Sequence, residues 1–120
     1  MAVKKGRPIR NVIRGDTRRV SCTFYDEDGT TPLNLAGGTV YFTVNSSSDP
    51  SSDGTASIQK SASSGFTDAT NGNHIFTLTH SDTNIAAGDY WYDAEFVDST
   101  GAYTSTFRGT FEVQSDITRS

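Results

Sequence analysis

Apolar and polar residues alternate along most of this chain. Across Arg19–Tyr25, Val20, Cys22 and Phe24 alternate with Ser21, Thr23 and Tyr25. A period of two marks a half-buried β-strand. Thr39–Asn45 repeats the pattern, with Val40, Phe42 and Val44 on one face and Tyr41 and Thr43 on the other. His74–Thr79 turns Phe76 and Leu78 inward. In Tyr90–Val97, Tyr90, Tyr92, Ala94 and Phe96 point one way, and Trp91, Asp93, Glu95 and Val97 the other. Ala102–Val113 keeps alternation through Tyr103, Ser105, Phe107, Gly109, Phe111 and Val113, with Gly109 marking a bulge or a close approach by another backbone. Shorter strands are predicted at Ile9–Ile13 and at Ala56–Ser61 around Ile58. Leu33 or Leu35 is placed to plug the core edge. The polar stretches 46–55 and 63–72 read as loops within one domain, and Asp98-Ser99-Thr100-Gly101 as a hairpin turn.

The segment Ser81–Val97 organises the rest. Ser81 reads as an N-cap, Asp82 suits the positive end of a short helical turn, and Gly88 reads as its left-handed stop. A glycine, one residue and then a tyrosine entering a strand is the sequence shape of a tyrosine corner, in which the hydroxyl returns to backbone a few residues upstream. Tyr90 is that tyrosine. Tyr92 then takes the position that a cysteine holds on strand F of antibody domains, and Cys22 the matching position on strand B. Seven to eight short antiparallel strands with turns at this spacing predict an all-β immunoglobulin-like β-sandwich over residues 9–114. A jelly roll or small barrel is the structural alternative. A basic arm, 1–8, precedes the sandwich and a short tail, 115–120, follows it.

Charge changes this picture. Seven of the ten basic residues (Lys4, Lys5, Arg7, Arg10, Arg14, Arg18 and Arg19) fall in the first nineteen, against Asp16 alone; that segment is +6 and the remainder −10. Such polarity suggests a head-to-tail or arm-to-body contact, or an acidic partner for the arm. The acidic body would repel a duplex, which argues against nucleic-acid binding. Cys22 is the sole cysteine, so no intrachain disulfide forms. Residues 1–19 lack the apolar core of a secretory signal, and no run approaches membrane-spanning length. Synthesis in a cytoplasm is expected.

Candidate chemistry is thin. Arg14-Gly15-Asp16 matches a cell-adhesion tripeptide, but leading straight into a strand it reads as a Gly-Asp turn whose local backbone groups Asp16 and Thr17 satisfy. Asp26-Glu27-Asp28-Gly29 is a turn that invites calcium yet lacks the spaced ligands of an EF-hand. No neighbouring histidine or lysine in the sequence supports a Cys22 thiolate, so the thiol is assigned to the core. His74 and His80 lack a third ligand. Asp93 and Glu95 share one face of one strand, whereas a glycosidase pair flanks its bond from two sides. Gly37-Gly38 lacks the Lys-Ser/Thr of a phosphate loop. The expectation is a non-enzyme without cofactor or metal. Trp91 and Tyr41, aimed away from the core, are interface candidates together with Lys4, Lys5, Arg7 and Arg10.

Several pieces together resemble a known family. They are Ile13-Arg14-Gly15-Asp16-Thr17 before a strand, Asp26–Gly29 at a hairpin end, and Leu33-Asn34-Leu35-Ala36-Gly37 before Thr39–Val44. Ala87-Gly88-Asp89-Tyr90-Trp91-Tyr92-Asp93-Ala94 and Gly109-Thr110-Phe111-Glu112-Val113, followed by Asp116–Arg119, complete the set. Their order resembles the N-terminal immunoglobulin-like domain of tailed-phage baseplate upper proteins and related small virion proteins. The resemblance implies an attachment module that docks on a baseplate or tail ring, with no catalytic residues. For a chain of one domain, a neck, tail-completion or head-decoration place fits as well. The expected partners are other virion proteins and further copies of the chain, as a homo-oligomer in the particle. The alternative is a carbohydrate-binding module in which Trp91 and Tyr41 form a stacking platform.

Overall fold

The computed structural model describes residues 3–5, 7–25, 30–45, 57–101 and 104–115. Among them are eight strands: β1 (Val3–Lys5), β2 (Ile9–Ile13), β3 (Arg18–Thr23), β4 (Thr39–Asn45), β5 (Ile58–Ala62), β6 (Asn73–Leu78), β7 (Gly88–Val97) and β8 (Thr104–Gln114). They form an all-β sandwich. The large sheet runs β1-β8-β7-β4-β5, with β2 also paired to β8, and the small sheet is β3-β6. The pairing follows the immunoglobulin order, in which strands B and E share one sheet and C, F and G lie side by side in the other. Here β3 and β6 are the first pair, and β4, β7 and β8 the second group.

Period-two patterning decides which side chains meet between the sheets. Val20 and Cys22 of β3 and Phe76 and Leu78 of β6 are buried, as are Val40, Phe42 and Val44 of β4 and Tyr90, Tyr92, Ala94 and Phe96 of β7. Rings bridge the layers. Phe42 lies 5.6 Å from Phe76 across the layers and Phe24 lies 5.4 Å from Phe107, while within the large sheet Phe42 stacks on Tyr92 at 5.5 Å. Each such pair adds about 0.5–1.5 kcal/mol beyond area burial. Leu35 is fully buried and plugs the edge, with Leu33 packed against the core beside it. The expected loop 63–72 adds apolar weight: Phe66 and Ala69 also pack on the core.

The tyrosine corner is present. The Tyr90 hydroxyl donates to the Ala86 carbonyl at 2.7 Å. The turn before it differs from expectation. It starts at Thr79 rather than Ser81, because Thr79 and Asp82 satisfy each other: the Thr79 amide donates to Asp82 Oδ2 at 2.8 Å and the Asp82 amide to Thr79 Oγ1 at 3.3 Å. This reciprocal pair is a capping-box arrangement. A single turn follows, closed by Thr83 N–H to Thr79 O at 3.1 Å. Gly88 is no helix stop; it opens β7 with φ +150°. The Asp98–Gly101 hairpin turn is as expected, with Gly101 N–H donating to Asp98 O at 3.0 Å.

The basic N-terminal segment is not all arm. Val3–Lys5 pairs in parallel with Thr106–Arg108 of β8. β2 continues along the same edge, also parallel to β8, with Ile9 opposite Phe111 and Val12 opposite Val113, so the large sheet is mixed rather than wholly antiparallel. Three residues advance on β2 against two on β8, so the ladder bulges at Arg10–Asn11. Asn11 takes φ +60°, a left-handed conformation that asparagine tolerates better than most residues. Loop 46–55, the acidic turn 26–29, Tyr103 and the tail from 116 lie outside the described residues.

Candidate functional site

Two features of the large sheet concern interaction: its outer face, turned away from the small sheet, and its N-terminal edge. Register sets the face. Trp91 stands opposite Asn45 on β4 and Thr110 on β8, and Tyr41 stands opposite Glu95 on β7 and Ser61 on β5. Trp91 and Tyr41 are each 37 % exposed. The two rings share a face, as alternation predicts, but do not form one platform. Tyr41 is level with a residue four positions beyond Trp91 on β7, about 13 Å along the strand. Between their levels Asp93 pairs across to Arg108, with Nε to Oδ2 at 3.0 Å. Both partners are substantially exposed, so the pair contributes about 0–1 kcal/mol.

The face is acidic around Trp91. Asp89 and Asp93 flank it on β7, and Glu112 lies directly opposite Asp89 on β8. Like charges directly opposite each other on adjacent strands are destabilising. Glu112 Oε1 accepts from the Asn11 amide at 3.4 Å and from Gln114 Nε2 at 3.3 Å. The bulge thus helps to hold one of the two carboxylates.

The edge is basic and is fastened from inside. Tyr92 is buried, and its ring passes over Gly109, its cross-strand partner on β8. A Cβ on Gly109 would lie 2.6 Å from Tyr92 Cε2 and 3.0 Å from its hydroxyl oxygen. The glycine therefore admits a side chain rather than another backbone. Beyond it the Tyr92 hydroxyl donates to the Arg7 carbonyl at 2.7 Å, where the chain passes from β1 to β2. Burial, and then the nearby Cys22 thiol, push the Tyr92 phenol up to about 12, so it remains a donor through the physiological range.

Arg7 and Arg10 are exposed, and Lys4 and Lys5 stand in β1 at the levels of Phe107 and Arg108. The structure thus brings Lys4, Lys5, Arg7 and Arg10 to one sheet edge and places Trp91 two strands inward. Tyr41 lies one strand farther still, beyond Trp91. At the bulge, Arg18 Nη1 donates to the carbonyls of Arg10 at 3.1 Å and Asn11 at 3.2 Å, and Gln114 Nε2 donates to Asn11 Oδ1 at 3.0 Å. Alternation alone did not reveal this bulge, because an asparagine in a short strand carries no distinctive signal. Gly109 was the sequence signal for the Tyr92 fastening.

The remaining candidates resolve individually. The Arg14-Gly15-Asp16 turn closes with Asp16 N–H to Ile13 O at 3.0 Å, and Gly15 takes φ +85°. Its backbone is held by the buried Thr83, whose hydroxyl donates to Asp16 O at 2.7 Å, rather than by Asp16 and Thr17. Cys22 does have a histidine beside it in register, His74 on β6. Burial nevertheless pushes the thiol up to about 12, which keeps it protonated and suits the core role. His74 sits edge-on between Phe66 at 5.7 Å and Phe76 at 4.8 Å. Its Nδ1 is buried without a hydrogen-bond partner, and burial lowers its pKa. Lys60 and Asp82 form an ion pair at 2.7 Å between β5 and the Thr79 turn, which linear patterning did not anticipate. Among the described residues no group of three His, Cys, Asp or Glu is placed to hold a metal ion; the acidic turn that invited calcium is outside them. No protein-family model matches the chain, and no curated protein matches it in sequence.

Proposed function

We propose that this protein is a non-enzymatic structural component of a tailed-phage particle, in the baseplate, tail, neck or head decoration, that works by binding neighbouring virion proteins and copies of itself. It is made in the host cytoplasm and resides in the virion. One observation carries the assembly reading: a basic strand edge lies beside an acidic sheet face that exposes a tryptophan in mid-strand. Tryptophan, tyrosine and arginine are the residues most enriched among the anchors of protein contacts. The phage setting rests on the family resemblance of the turn, corner and strand motifs. A rigid sandwich supplies the body, and its charged edge supplies salt-sensitive attraction to an acidic neighbour.

Light scattering after size-exclusion chromatography tests this reading. Full-length protein at low and high salt, over a range of concentrations, is expected to form defined oligomers that salt weakens. Protein that stays monomeric throughout and captures no structural protein from disrupted particles would refute it. A glycan-binding module keeps one specific observation in its favour, the exposed Trp91 ring. A glycan screen read by tryptophan fluorescence separates the two readings.

A further inference from the structure

We propose that the outer face around Trp91 binds the N-terminal edge of a second copy of this chain, with Arg10 of one copy entering between Trp91, Asp89 and Glu112 of the other. The inference rests on the assembly reading above and assigns its contact.

Asp89 and Glu112 stand directly opposite each other, beside the exposed Trp91 ring. A cation placed there relieves the carboxylate repulsion and meets the indole face at once. A guanidinium is the group that does both, since it stacks on aromatic rings and bonds carboxylates through two N–H groups. Asp89 is exposed and makes no salt bridge among the described residues.

The chain itself presents such a group. Arg10 is exposed and likewise makes no salt bridge among the described residues. It projects from the β2 bulge, and bulges characteristically re-aim a side chain. This bulge is rigid: Arg18 holds the carbonyls of both Arg10 and Asn11, and Gln114 holds the Asn11 side chain. The backbone that presents Arg10 is therefore ordered before contact, and the freedom lost there is that of the arginine side chain itself. Arg7 lies on the same edge, fixed by the Tyr92 hydroxyl.

Edge and face lie on neighbouring strands of one sheet, β2, β8 and β7, so Arg10 and Trp91 are separated by about 10 Å across two strand spacings. A two-fold axis over β8 brings each copy's edge onto the other's face. The contact then occurs twice and closes as a dimer.

A charge-swap series on the full chain tests this. Dimer dissociation constants are measured by sedimentation for wild type, Arg10→Glu, Asp89→Arg and the double variant, with circular dichroism confirming the fold of each. Each single reversal is expected to weaken the dimer about tenfold or more, and the double variant to regain most of the loss. Trp91→Ala is expected to abolish dimerisation and Tyr41→Ala to leave it unchanged. Self-association that survives both reversals, or that the double variant fails to restore, overturns this contact while leaving the assembly reading standing. A wild-type monomer at every concentration and salt overturns the contact, and the assembly reading is then decided separately by capture of structural proteins from disrupted particles.

Discussion

Replacing Gly109 by alanine tests whether Tyr92 fastens the N-terminal edge. The added Cβ would sit 2.6 Å from Tyr92 Cε2 and 3.0 Å from Cζ. The ring has little room to retreat, being stacked on Phe42 at 5.5 Å and edge-on to Phe107 at 6.1 Å. Overpacking of this kind costs about 1–3 kcal/mol. The lower backbone entropy of an alanine in a strand returns about 0.5–1 kcal/mol. A tilted ring also lengthens the 2.7 Å bond to Arg7, worth about 1 kcal/mol. The net loss is about 1–3 kcal/mol, a fall in Tm of about 4–12 °C for a domain of this size. Tyr92→Phe separates the two contributions, since it keeps the ring and removes only the hydroxyl. It should cost about 1 kcal/mol globally. It should also raise hydrogen exchange selectively at the amides of β1 and of the Arg7 crossing. Urea denaturation and amide exchange measure both. A neutral or stabilising Gly109→Ala would refute the close-packing argument. Unchanged exchange in β1 on Tyr92→Phe would refute the fastening.

Three further outcomes follow from the same interior. Burial lowers the His74 pKa, so stability is complete above the ordinary histidine range and is lost as pH falls below it; Tm measured between pH 7.5 and 5 should fall more steeply in wild type than in His74→Leu, and equal slopes would contradict the burial argument. Tyr92 and Cys22 are both raised to about 12, so their neutral forms favour the fold fully below their unfolded values and stability declines as pH climbs through the alkaline range; native Cys22 should react with a thiol reagent only as fast as the protein opens, and rapid labelling would show that the thiol is accessible. At Asp82 burial opposes ionisation, but hydrogen bonds from Lys60 and Thr79 outweigh it and lower the pKa; Asp82→Ala should cost about 1–2 kcal/mol through the lost turn, Lys60→Ala at most about 1, and equal losses in thermal denaturation would mean that the ion pair rather than the capping interaction dominates.

Much of the fold was legible because each strand is half buried. Alternation along Thr39–Asn45 and Tyr90–Val97 gives the same inward residues that the packed sandwich buries: Val40, Phe42, Val44, Tyr90, Tyr92, Ala94 and Phe96. The corner was legible because one glycine and one tyrosine suffice to mark it. The illegible parts are those where partners lie far apart in sequence. Arg7 and Tyr92 are 85 residues apart and Asn11 and Glu112 are 101 apart, and no local pattern announces either contact. Val3–Lys5 has no alternation to display, and its strand state comes from the backbone edge that β8 offers. Sequence pattern places the turn's start at Ser81 rather than Thr79 because the two are equally good caps by type, and only the position of Asp82 three residues after Thr79 separates them.

Tyr92 also connects the core to the edge that the assembly reading uses. In antibody domains this position on strand F carries a cysteine that joins the two sheets. Here a cysteine stands only on β3, and the tyrosine takes a different direction. Its ring packs against Phe42 in the core, crosses Gly109 and ends on the Arg7 carbonyl outside β8. A disulfide would tie sheet to sheet. This arrangement ties the sheet interior to the N-terminal segment and sets where β1 ends and β2 begins. The placement of Arg7, and the course of the chain into the Arg10 bulge, then depend on core packing rather than on solvent-exposed contacts alone. A basic edge held in this way presents its charges in a fixed register, which a loose arm of the same composition would not.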